Sequence, residues 1–310
     1  MPTSVLSISD GPRTTVADLV GNPMLIPARV LELLRNAFVA EALLRDAGPN
    51  TNGLVRYDES TPLYLGTDIE DVAEFSEIPV GAGQRGTPAI AYATKKALGV
   101  RISREMRDEN KLDDVNRQLK QLVNTFIRAD DRVLKALLQS AAVPTMPASA
   151  AWDTANSKPR KDFADAMYEV SAATPTATQG DDGFGFKPDT IVLHPSLVPI
   201  LTDNEDFLKV YKDALASESI AYTGALPKQI MGMDPLTAWS WPMDRVFIGE
   251  RKTIGFYSDT RALESTGLYP EGGGPNGGPT ESWRSDTSRK RAMALDEPKA
   301  GIWITGVVTP

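Results

Sequence analysis

The side chains that most often carry out chemistry are scarce in this sequence. Its 310 residues include a single histidine, His194, and no cysteine. This composition leaves little room for histidine-based catalysis or zinc sites, and it rules out thiol nucleophiles and disulfides. His194 stands in the segment VLHPS, at the end of a predicted strand, where we expect a hydrogen-bonded structural role. We predict no catalytic residue, no metal site and no cofactor.

Two other segments resemble ligand-binding loops only in composition. The run EGGGPNGGP at 271–279 is rich in glycine, but it lacks the Lys-Ser/Thr pair of a phosphate-binding loop and does not open a helix. Asp203, Glu205 and Asp206 lack the central glycine and the twelfth-position glutamate of a calcium loop. We therefore predict a flexible surface loop at 271–279 and a helix-capping role for the three acidic residues.

Charge is concentrated in two places, and these supply the candidate site residues. The segment TDIEDVAEFSEIPVGAGQRG sets five acidic residues against Arg85 alone: Asp68, Glu70, Asp71, Glu74 and Glu77. A basic cluster follows much later: Arg284, Arg289, Lys290 and Arg291. Opposite charge makes the two groups natural partners, within one chain or between neighbours. The alternatives are a solvated loop or a cation site for the acidic group, and nucleic acid for the basic cluster, where Trp283 is the one stacking aromatic.

Composition narrows the class of protein further. The chain is 41% hydrophobic and 24% charged, as in ordinary globular proteins, and it is long enough for one large domain or two lobes. A net charge of −8 disfavours sequence-independent binding to nucleic acid. No stretch reaches the run of about 20 apolar residues that a membrane span requires. The N-terminus lacks the pattern of a secretory signal.

The elements that position these residues begin with residues 1–26, which we predict to be an extended arm because they contain Gly and Pro without a helical period. Pro27 is predicted to open a helix that Gly48-Pro49 stops. Residues 54–102 predict an oversized hairpin, in which two strands flank the long acidic tip. A hairpin of this length cannot bury its own faces, so we expect it to lie against another part of the chain or against a partner.

A long helix is predicted over 103–142, with Ser103 as its N-cap and apolar residues at three- and four-residue steps. At 1.5 Å per residue it would be roughly 50–60 Å long and would act as a spine, with its charged face in solvent. A linker at 144–159 leads to a mixed α/β region. The predicted elements there are the helix FADAMYEVSAA, the strand Thr190–Leu193 with a short helix after it, the helix EDFLKVYKDALAS, and strands in PKQIMGMDPLTAW, DRVFIGERKTIGFYSD and AGIWITGVV.

The order of these parts resembles the shell fold of tailed-bacteriophage major capsid proteins, and the resemblance covers most of the chain. LYLGTDIEDVAEFSEIPVGAG is similar to the extended loop of such subunits, and TKKALGVRISREMRDENKLDDVNRQLKQLVNTFIRADDRVLKALL to the strand and spine helix that follow it. PDTIVLHPSLVPIL with DFLKVYKDA resembles the start of the axial domain. RVFIGERKTIGFYSD and RKRAMALDEPKAGIWITGV resemble late strands of the axial and peripheral domains.

The resemblance implies an α+β fold of the Hong Kong 97 type. It also implies a domain layout: an N-terminal arm (1–26), an N-terminal helix (27–53), an extended-loop hairpin (54–102), a spine helix and peripheral domain (103–158), a mixed α/β axial domain (159–283) with the flexible loop 271–279, and C-terminal strands (284–310) that return to the peripheral domain.

The function implied is that of a major capsid protein, not an enzyme, that assembles with itself into pentamers and hexamers of an icosahedral shell around the viral genome. The implied location is the virion, with assembly in the host cytoplasm. Implied partners are a separate scaffolding protein, a portal, a possible decoration protein and packaged double-stranded DNA, bound non-specifically at the inner face. The nine charged residues become candidates for contacts between subunits. Residues 54–87 contain no lysine, so the lysine–asparagine cross-link of some family members is not expected.

Two alternatives stay open. One is an encapsulin-like shell of a cellular compartment, built on the same fold around cargo. The other, from a different class, is a cytoplasmic α+β hydrolase or transferase. An enzyme would need a cleft with converging polar groups, and the sequence shows no such set.

Overall fold

A computed structural model of the chain describes residues 15–35, 37–140, 142–174, 183–207, 226–274 and 277–309. Within these residues the chain forms two five-stranded sheets, a two-stranded ribbon, and helices that pack on them. This mixture confirms the predicted α+β fold class.

Three short helices open the described part: α1 (Val16–Gly21), α2 (Leu25–Leu34) and α3 (Val39–Leu43). A capping box starts α1, because the Asp18 N–H donates to Thr15 Oγ1 (3.2 Å) and the Thr15 N–H donates to the Asp18 carboxylate (2.9 Å). The expectation of an arm without a helix is therefore wrong for residues 15–26. Residues 1–14 lie outside the described part.

The helix that was predicted to begin at Pro27 and to stop at Gly48-Pro49 is also wrong in its bounds. It begins at Leu25, so that Pro27 occupies its first turn, and it ends at Leu34. The backbone of Arg35 is extended, which turns the chain so that Phe38 reaches the core. A two-residue strand, β1 (Arg45–Asp46), follows α3.

The spine is two helices and not one: α4 (Arg104–Asp108) and α5 (Leu112–Leu138). Ser103 caps α4 as predicted, with its Oγ accepting from the Met106 N–H (3.2 Å). The chain breaks because Asn110 is left-handed (φ +49°), a conformation that asparagine adopts more readily than most residues. The Asn110 Oδ1 then accepts from the Val16 N–H (2.9 Å), which ties α1 to the break. With 27 residues, α5 is about 40 Å long, shorter than predicted.

The spine role predicted for α5 is confirmed, because this helix contributes to both large apolar cores. Its first half places residues such as Leu119 and Leu122 in one core, with α1, α2 and Trp283. Its last turns place Leu134 and Leu138 in the other core, with α3 and Trp303. The Trp303 Nε1–H donates to the Leu138 carbonyl (2.6 Å) and fixes this end of the helix.

The ribbon pairs β2 (Leu54–Glu59) with β3 (Thr87–Tyr92). The first sheet contains β1, β9 (Phe256–Ser265), β11 (Ser282–Ala294) and β10 (Tyr269–Pro270) in this order, and β4 (Thr94–Ser103) also pairs with β11. The sequence analysis predicted one returning strand for the hairpin. The structure divides it after Tyr92 into β3, which stays in the ribbon, and β4, which joins the first sheet. Between β10 and β11, residues 271–274 and 277–279 approach each other closely, since a Cβ on Gly278 would lie 2.4 Å from the Gly272 Cα.

The second sheet has the order β5 (Thr145–Pro147), β12 (Gly301–Thr305), β8 (Arg245–Gly249), β6 (Thr190–Leu193), β7 (Asp234–Thr237). Helix α6 (Pro159–Ser171) packs on β12, and α7 (Leu197–Asp203) follows β6. The predicted strand at 190–193, the short helix after it and the helix FADAMYEVSAA are confirmed. The segment predicted as a linker contains β5. The predicted helix EDFLKVYKDALAS lies outside the described residues from 208 onward.

The two sheets divide the late strands differently from the predicted domain layout. β9, expected in the axial region 159–283, lies in the first sheet beside β11. β12, expected to return to the spine-helix region, lies in the centre of the second sheet. The burial pattern explains this: four of the five residues of β12 are buried, as a strand covered on both faces requires, whereas buried and half-buried residues alternate along most of β11.

Candidate inter-subunit surface

The ribbon that carries the acidic segment is covered on one face. Its inner face places Val55 and Tyr57 against Phe256 and the alanines of β11, with the Tyr57 and Phe256 rings edge to face at 5.3 Å. On its outer face Leu54, Ile90 and Tyr92 are exposed. The predicted hairpin thus lies on its own chain with one face and leaves the other open.

Between the two strands, residues 60–86 form a loop without helix or strand, here called the extended loop. Its apolar side chains lie largely in solvent: Phe75 is 99% exposed, Ile69 97% and Val80 92%. Further large apolar residues of the same loop are exposed as well: Leu63, Tyr64, Leu65, Val72 and Ile78. A concentration of this kind marks an interaction surface on a globular protein. The sequence analysis emphasised the charges of this segment and missed its apolar residues.

The five acidic candidates all lie on the extended loop, and all are exposed: Asp68, Glu70, Asp71, Glu74 and Glu77. Within the described residues none of them forms an ion pair with the rest of the chain. Carboxylates and apolar side chains therefore alternate along one exposed segment. Such a segment suits a partner that offers both cations and apolar surface.

The basic cluster lies on β11, where alternate side chains point to opposite faces of the sheet. Arg289 and Arg291 point inward, with side chains 2% and 7% exposed. Arg289 forms ion pairs with Asp130 and with Glu41 (3.2 Å), and Arg291 with Asp259 (2.6 Å) and Glu41 (3.0 Å). The expectation that these two arginines contact a neighbouring subunit is therefore corrected: sheet pairing buries both beside acidic partners of their own chain.

Lys96, opposite Arg289 on β4, completes this buried network. Its Nζ donates to the Ala129 carbonyl (2.7 Å) and to Asp130 Oδ1 (3.1 Å). Burial, reinforced by Arg289 and Arg291, lowers the pKa of Lys96 to about 8. Burial also lowers the pKa of Arg289 to about 10, so its guanidinium stays charged at neutral pH.

The acidic side of the network lies on α5, whose charged face was expected to be solvated. Asp130 and Asp131 are instead buried, and the Ser240 hydroxyl donates to Asp131 (2.5 Å). Burial raises the pKa of Asp131 above its ordinary value. The sequence signal for this was the pair Asp130-Asp131 within an apolar stripe, which predicts internal cationic partners.

Lys290 and Arg284 point to the other face of the first sheet and remain partly exposed. Lys290 lies directly opposite Lys95 of β4, and the described structure gives neither lysine an ion pair. Arg284 contacts Asp286 (2.6 Å) and Glu271 (3.6 Å). Two like charges directly opposite each other on a sheet repel, so this face is suited to an acidic partner.

The residues considered for chemistry have local structural roles. His194 is buried, and its Nδ1 accepts from the Ser196 N–H (3.1 Å), which confirms the predicted structural role. Asn204 provides a cap at this position, since its Oδ1 accepts from the Asp206 N–H (3.0 Å). Across the described ranges, no three His, Cys, Asp or Glu side chains are grouped so as to hold a metal ion. Among the described helices, none combines the length and the apolar character needed to cross a bilayer.

A family model described as phage capsid protein matches residues 87–304, well over half of the chain. The chain belongs to this family. The match begins at the first residue of β3, so the extended loop of this capsid protein precedes it. No curated protein sequence matches this capsid protein.

Solved structures share the fold of this capsid protein. It is similar to a Microbacterium phage Oxtober96 structure (TM-score 0.59, 15% identity, 86% of this chain and 90% of the other). It is also similar to a phage-related protein from Bordetella bronchiseptica RB50 (TM-score 0.56, 15% identity, 91% and 97%). A third similar structure is a virus-like particle from Pyrococcus furiosus (TM-score 0.56, 12% identity, 90% and 97%). The family and the fold together make this chain a major capsid protein, a subunit of a phage shell.

Proposed function

We propose that this capsid protein assembles with copies of itself into pentamers and hexamers, and that these close an icosahedral shell around double-stranded DNA. The observation that carries the proposal is the extended loop, whose eight large apolar side chains are exposed. Each side chain that a neighbouring subunit covers stabilises the contact by roughly 25 cal/mol per Å² of buried apolar surface. Because every subunit offers the same loop and the same receiving surface, such contacts repeat around symmetry axes and close a shell.

Negative-stain microscopy and light scattering of the purified chain test this assembly. The wild-type chain should form rings or closed particles. A variant in which a short Gly-Ser linker replaces residues 63–84 should stay folded by circular dichroism and remain monomeric, because the replaced segment lies outside both apolar cores. A wild-type chain that stays a compact monomer across concentration and salt would contradict the proposal.

The acidic residues of the extended loop, we propose, contact the cations of a neighbouring subunit that remain accessible. These are Lys290 and Arg284 of the predicted cluster, together with Lys95. Exposed ion pairs contribute only about 0–1 kcal/mol each, so a single substitution should change assembly little. Reversing Glu70, Asp71, Glu74 and Glu77 to Lys should instead place like charges together at every copy of the contact and abolish assembly at low salt.

Charge-swap rescue identifies the partner surface. The fourfold reversal is combined with Lys95→Glu and Lys290→Glu in the same chain, and particle yield is measured by sedimentation. Recovered yield supports this pairing. Normal assembly of the fourfold reversal alone would show that the acidic residues are merely solvated, whereas loss without rescue would show that the partner cations lie elsewhere.

Membership of the capsid family supports a proposal for the remaining partners. The proposal places the protein in the virion after assembly in the host cytoplasm, without enzymatic activity, with a scaffolding protein, a portal, a possible decoration protein, and packaged DNA at the inner face. Mass spectrometry of purified particles and of their precursors checks the protein partners. Nuclease-protected DNA of uniform length inside the particles checks the packaged genome.

A second candidate is the shell of a cellular compartment, since one structure of the same fold carries the name of a cellular organism, as a virus-like particle from Pyrococcus furiosus. The contents of native particles separate the two functions. A protected genome, with terminase and portal genes beside the capsid gene, supports the viral shell. An enclosed enzyme encoded by a neighbouring gene supports the compartment.

A further inference from the structure

The exposed side of helix α5 has a charge pattern that the fold and the inter-subunit contact leave unexplained. Beyond its first turn the helix has seven charged residues, and the two acidic ones, Asp130 and Asp131, are buried. The five others are cationic, four of them exposed and the last half-buried: Arg117, Lys120, Arg128, Arg132 and Lys135. From residue 115 to residue 138, the surface of this helix therefore carries positive charge alone.

These five cations form one stripe, here called the cationic stripe. An α-helix turns by about 100° per residue, so the five side chains fall within an arc of about 120°. This arc lies opposite the residues of α5 that fill the first core, such as Leu119 and Phe126. At 1.5 Å per residue, the stripe extends over about 27 Å. Gln121 and Asn124 lie in the same arc and are exposed, and their amides are able to donate hydrogen bonds to phosphate oxygens.

Most of the stripe is not neutralised by its own chain. No ion pair joins Lys120, Arg128 or Arg132 to any residue that the structure describes. Arg117 contacts Asp114 one turn earlier on the helix. The stripe therefore keeps at least three cations available for a partner.

The carboxylates that would balance the stripe are turned away from it. Asp130 pairs with Arg289 of β11 and with Lys96 of β4 (3.1 Å), and Asp131 accepts from the Ser240 hydroxyl (2.5 Å). Because these partners hold both carboxylates inside the protein, the outer side of α5 is a local region of positive potential on a chain whose net charge is −8.

The chemistry of the stripe suits a phosphate backbone better than an acidic protein. Protein–protein interfaces are centred on buried apolar and aromatic side chains, and no large apolar side chain of α5 is exposed in the described structure. Interfaces with DNA are more polar and much more positively charged, and half or more of their hydrogen bonds go to phosphates and sugars. Over 27 Å, double-stranded DNA presents about 16 phosphate charges, so every cation of the stripe has an anion within reach.

The stripe and the surface proposed for the extended loop lie on opposite sides of the first sheet. Helix α5 packs on the side to which Arg289 points, because Asp130 pairs with that arginine. Lys290, one residue further along β11, and Lys95 opposite it point to the other side. An extended loop bound at the two lysines therefore leaves the stripe free for a second partner.

We propose that the cationic stripe of α5 is the surface on which the shell contacts packaged double-stranded DNA, through ion pairs with phosphates that do not depend on base sequence. The assignment rests on the proposed function, which places DNA inside the shell. It adds the side of the subunit that lines the interior. The other side of the first sheet, with Lys95 and Lys290, then faces neighbouring subunits.

Fluorescence anisotropy of a short labelled DNA duplex tests the stripe, with the full chain titrated at concentrations below assembly. The logarithm of the affinity falls linearly with the logarithm of the salt concentration, with a slope of about −0.9 for each phosphate contacted. A stripe variant that combines Lys120→Gln, Arg128→Gln and Arg132→Gln loses three such contacts. Its slope should be shallower by about 3, and its affinity at low salt should be lower by about tenfold or more.

Two further variants separate position on the surface from net charge. Lys158→Gln, Arg160→Gln and Lys161→Gln together remove the same charge at the exposed start of α6, and this variant should bind the duplex as wild type does. Arg128→Lys with Arg132→Lys keeps the charge of the stripe and should retain both the affinity and the slope. Circular dichroism checks that each variant is folded.

Each result supports or overturns the proposal. Binding that the stripe variant loses and the α6 variant keeps supports it. A wild-type chain that does not bind the duplex at low salt overturns it, and so do equal losses in the two variants. Labelled poly-glutamate bound as tightly as the duplex would assign the stripe to an acidic protein and would overturn it as well.

Two arrangements keep the test decisive. If the stripe variant does not fold, the single substitutions at Lys120, Arg128 and Arg132 replace it, and each should make the slope shallower by about 1; three unchanged slopes overturn the proposal. The titration involves no particles, whereas microscopy reports assembly, so a failure of the stripe to bind DNA is distinguishable from a failure to form a shell.

Discussion

At the scale of single residues, the main finding is the burial of Arg289 and Arg291. The sequence shows both as part of a basic run, and on that basis they were predicted to face a neighbour. Register decides otherwise, because a one-residue step along β11 separates an inward arginine from an outward Lys290. The period of two predicts that side chains alternate between the two faces of a strand. When both faces carry charged residues, it does not indicate which face is buried.

Removing one member of the buried network should lower the free energy of unfolding substantially. Arg289→Ala leaves Asp130 buried without its closest cation, and loss of one partner of a buried pair destabilises proteins by about 3–5 kcal/mol. Arg284→Ala, on the exposed face of the same strand, should cost about 0–1 kcal/mol. Urea unfolding of the unassembled chain measures both variants. An equal loss of unfolding free energy in the two variants would show that the buried pair of Arg289 with Asp130 stabilises the fold no more than the exposed contacts of Arg284 do.

At the scale of elements, the positions of the late helices and strands could be predicted, but the breaks between helices could not. Apolar periodicity identified α5, α6 and most of the strands. The prediction continued through Asn110, because no Gly or Pro interrupts the sequence between Ser103 and Pro144. The break arises from a tertiary contact with Val16, almost a hundred residues earlier in the chain, and no local pattern records such a contact.

The break at Asn110 can be separated into its two physical causes. Asn110→Gly keeps the left-handed backbone but loses the bond to the Val16 N–H, so we expect a loss of about 1 kcal/mol. Asn110→Ala loses the bond and also incurs about 1–2 kcal/mol of left-handed strain. The free energy of unfolding, measured for both variants, should therefore decrease more for alanine. A smaller loss for alanine than for glycine would show that the chain prefers a continuous helix here.

At the scale of the whole molecule, the order of the parts carried the fold prediction, since no single motif in this sequence is specific. The extended loop was identified from its flanking strands and its charge. Its apolar residues were overlooked because they follow no period that would indicate burial within the subunit. Sequence periodicity reports burial within a subunit, so residues that a neighbour covers follow no such period.

We expect particles of this protein to be held together without covalent bonds through the extended loop. Residues 54–87 contain no lysine, and the chain contains no cysteine. Denaturing electrophoresis of mature particles should therefore give a single band near 33.6 kDa. A ladder of multimers that survives boiling would contradict this expectation and would direct attention to Lys95 and Lys96 just beyond the loop.

Helix α5 has a mechanical consequence for a shell. One rigid beam passes through both cores, anchored at Leu119 and Leu122 in the first and at Leu134 and Leu138 in the second. We expect a load applied to one sheet to be transmitted along this helix and not to be absorbed by a soft joint between two lobes. A subunit built in this way should tilt as a unit under outward pressure, and the loops should then account for most of the compliance of the shell.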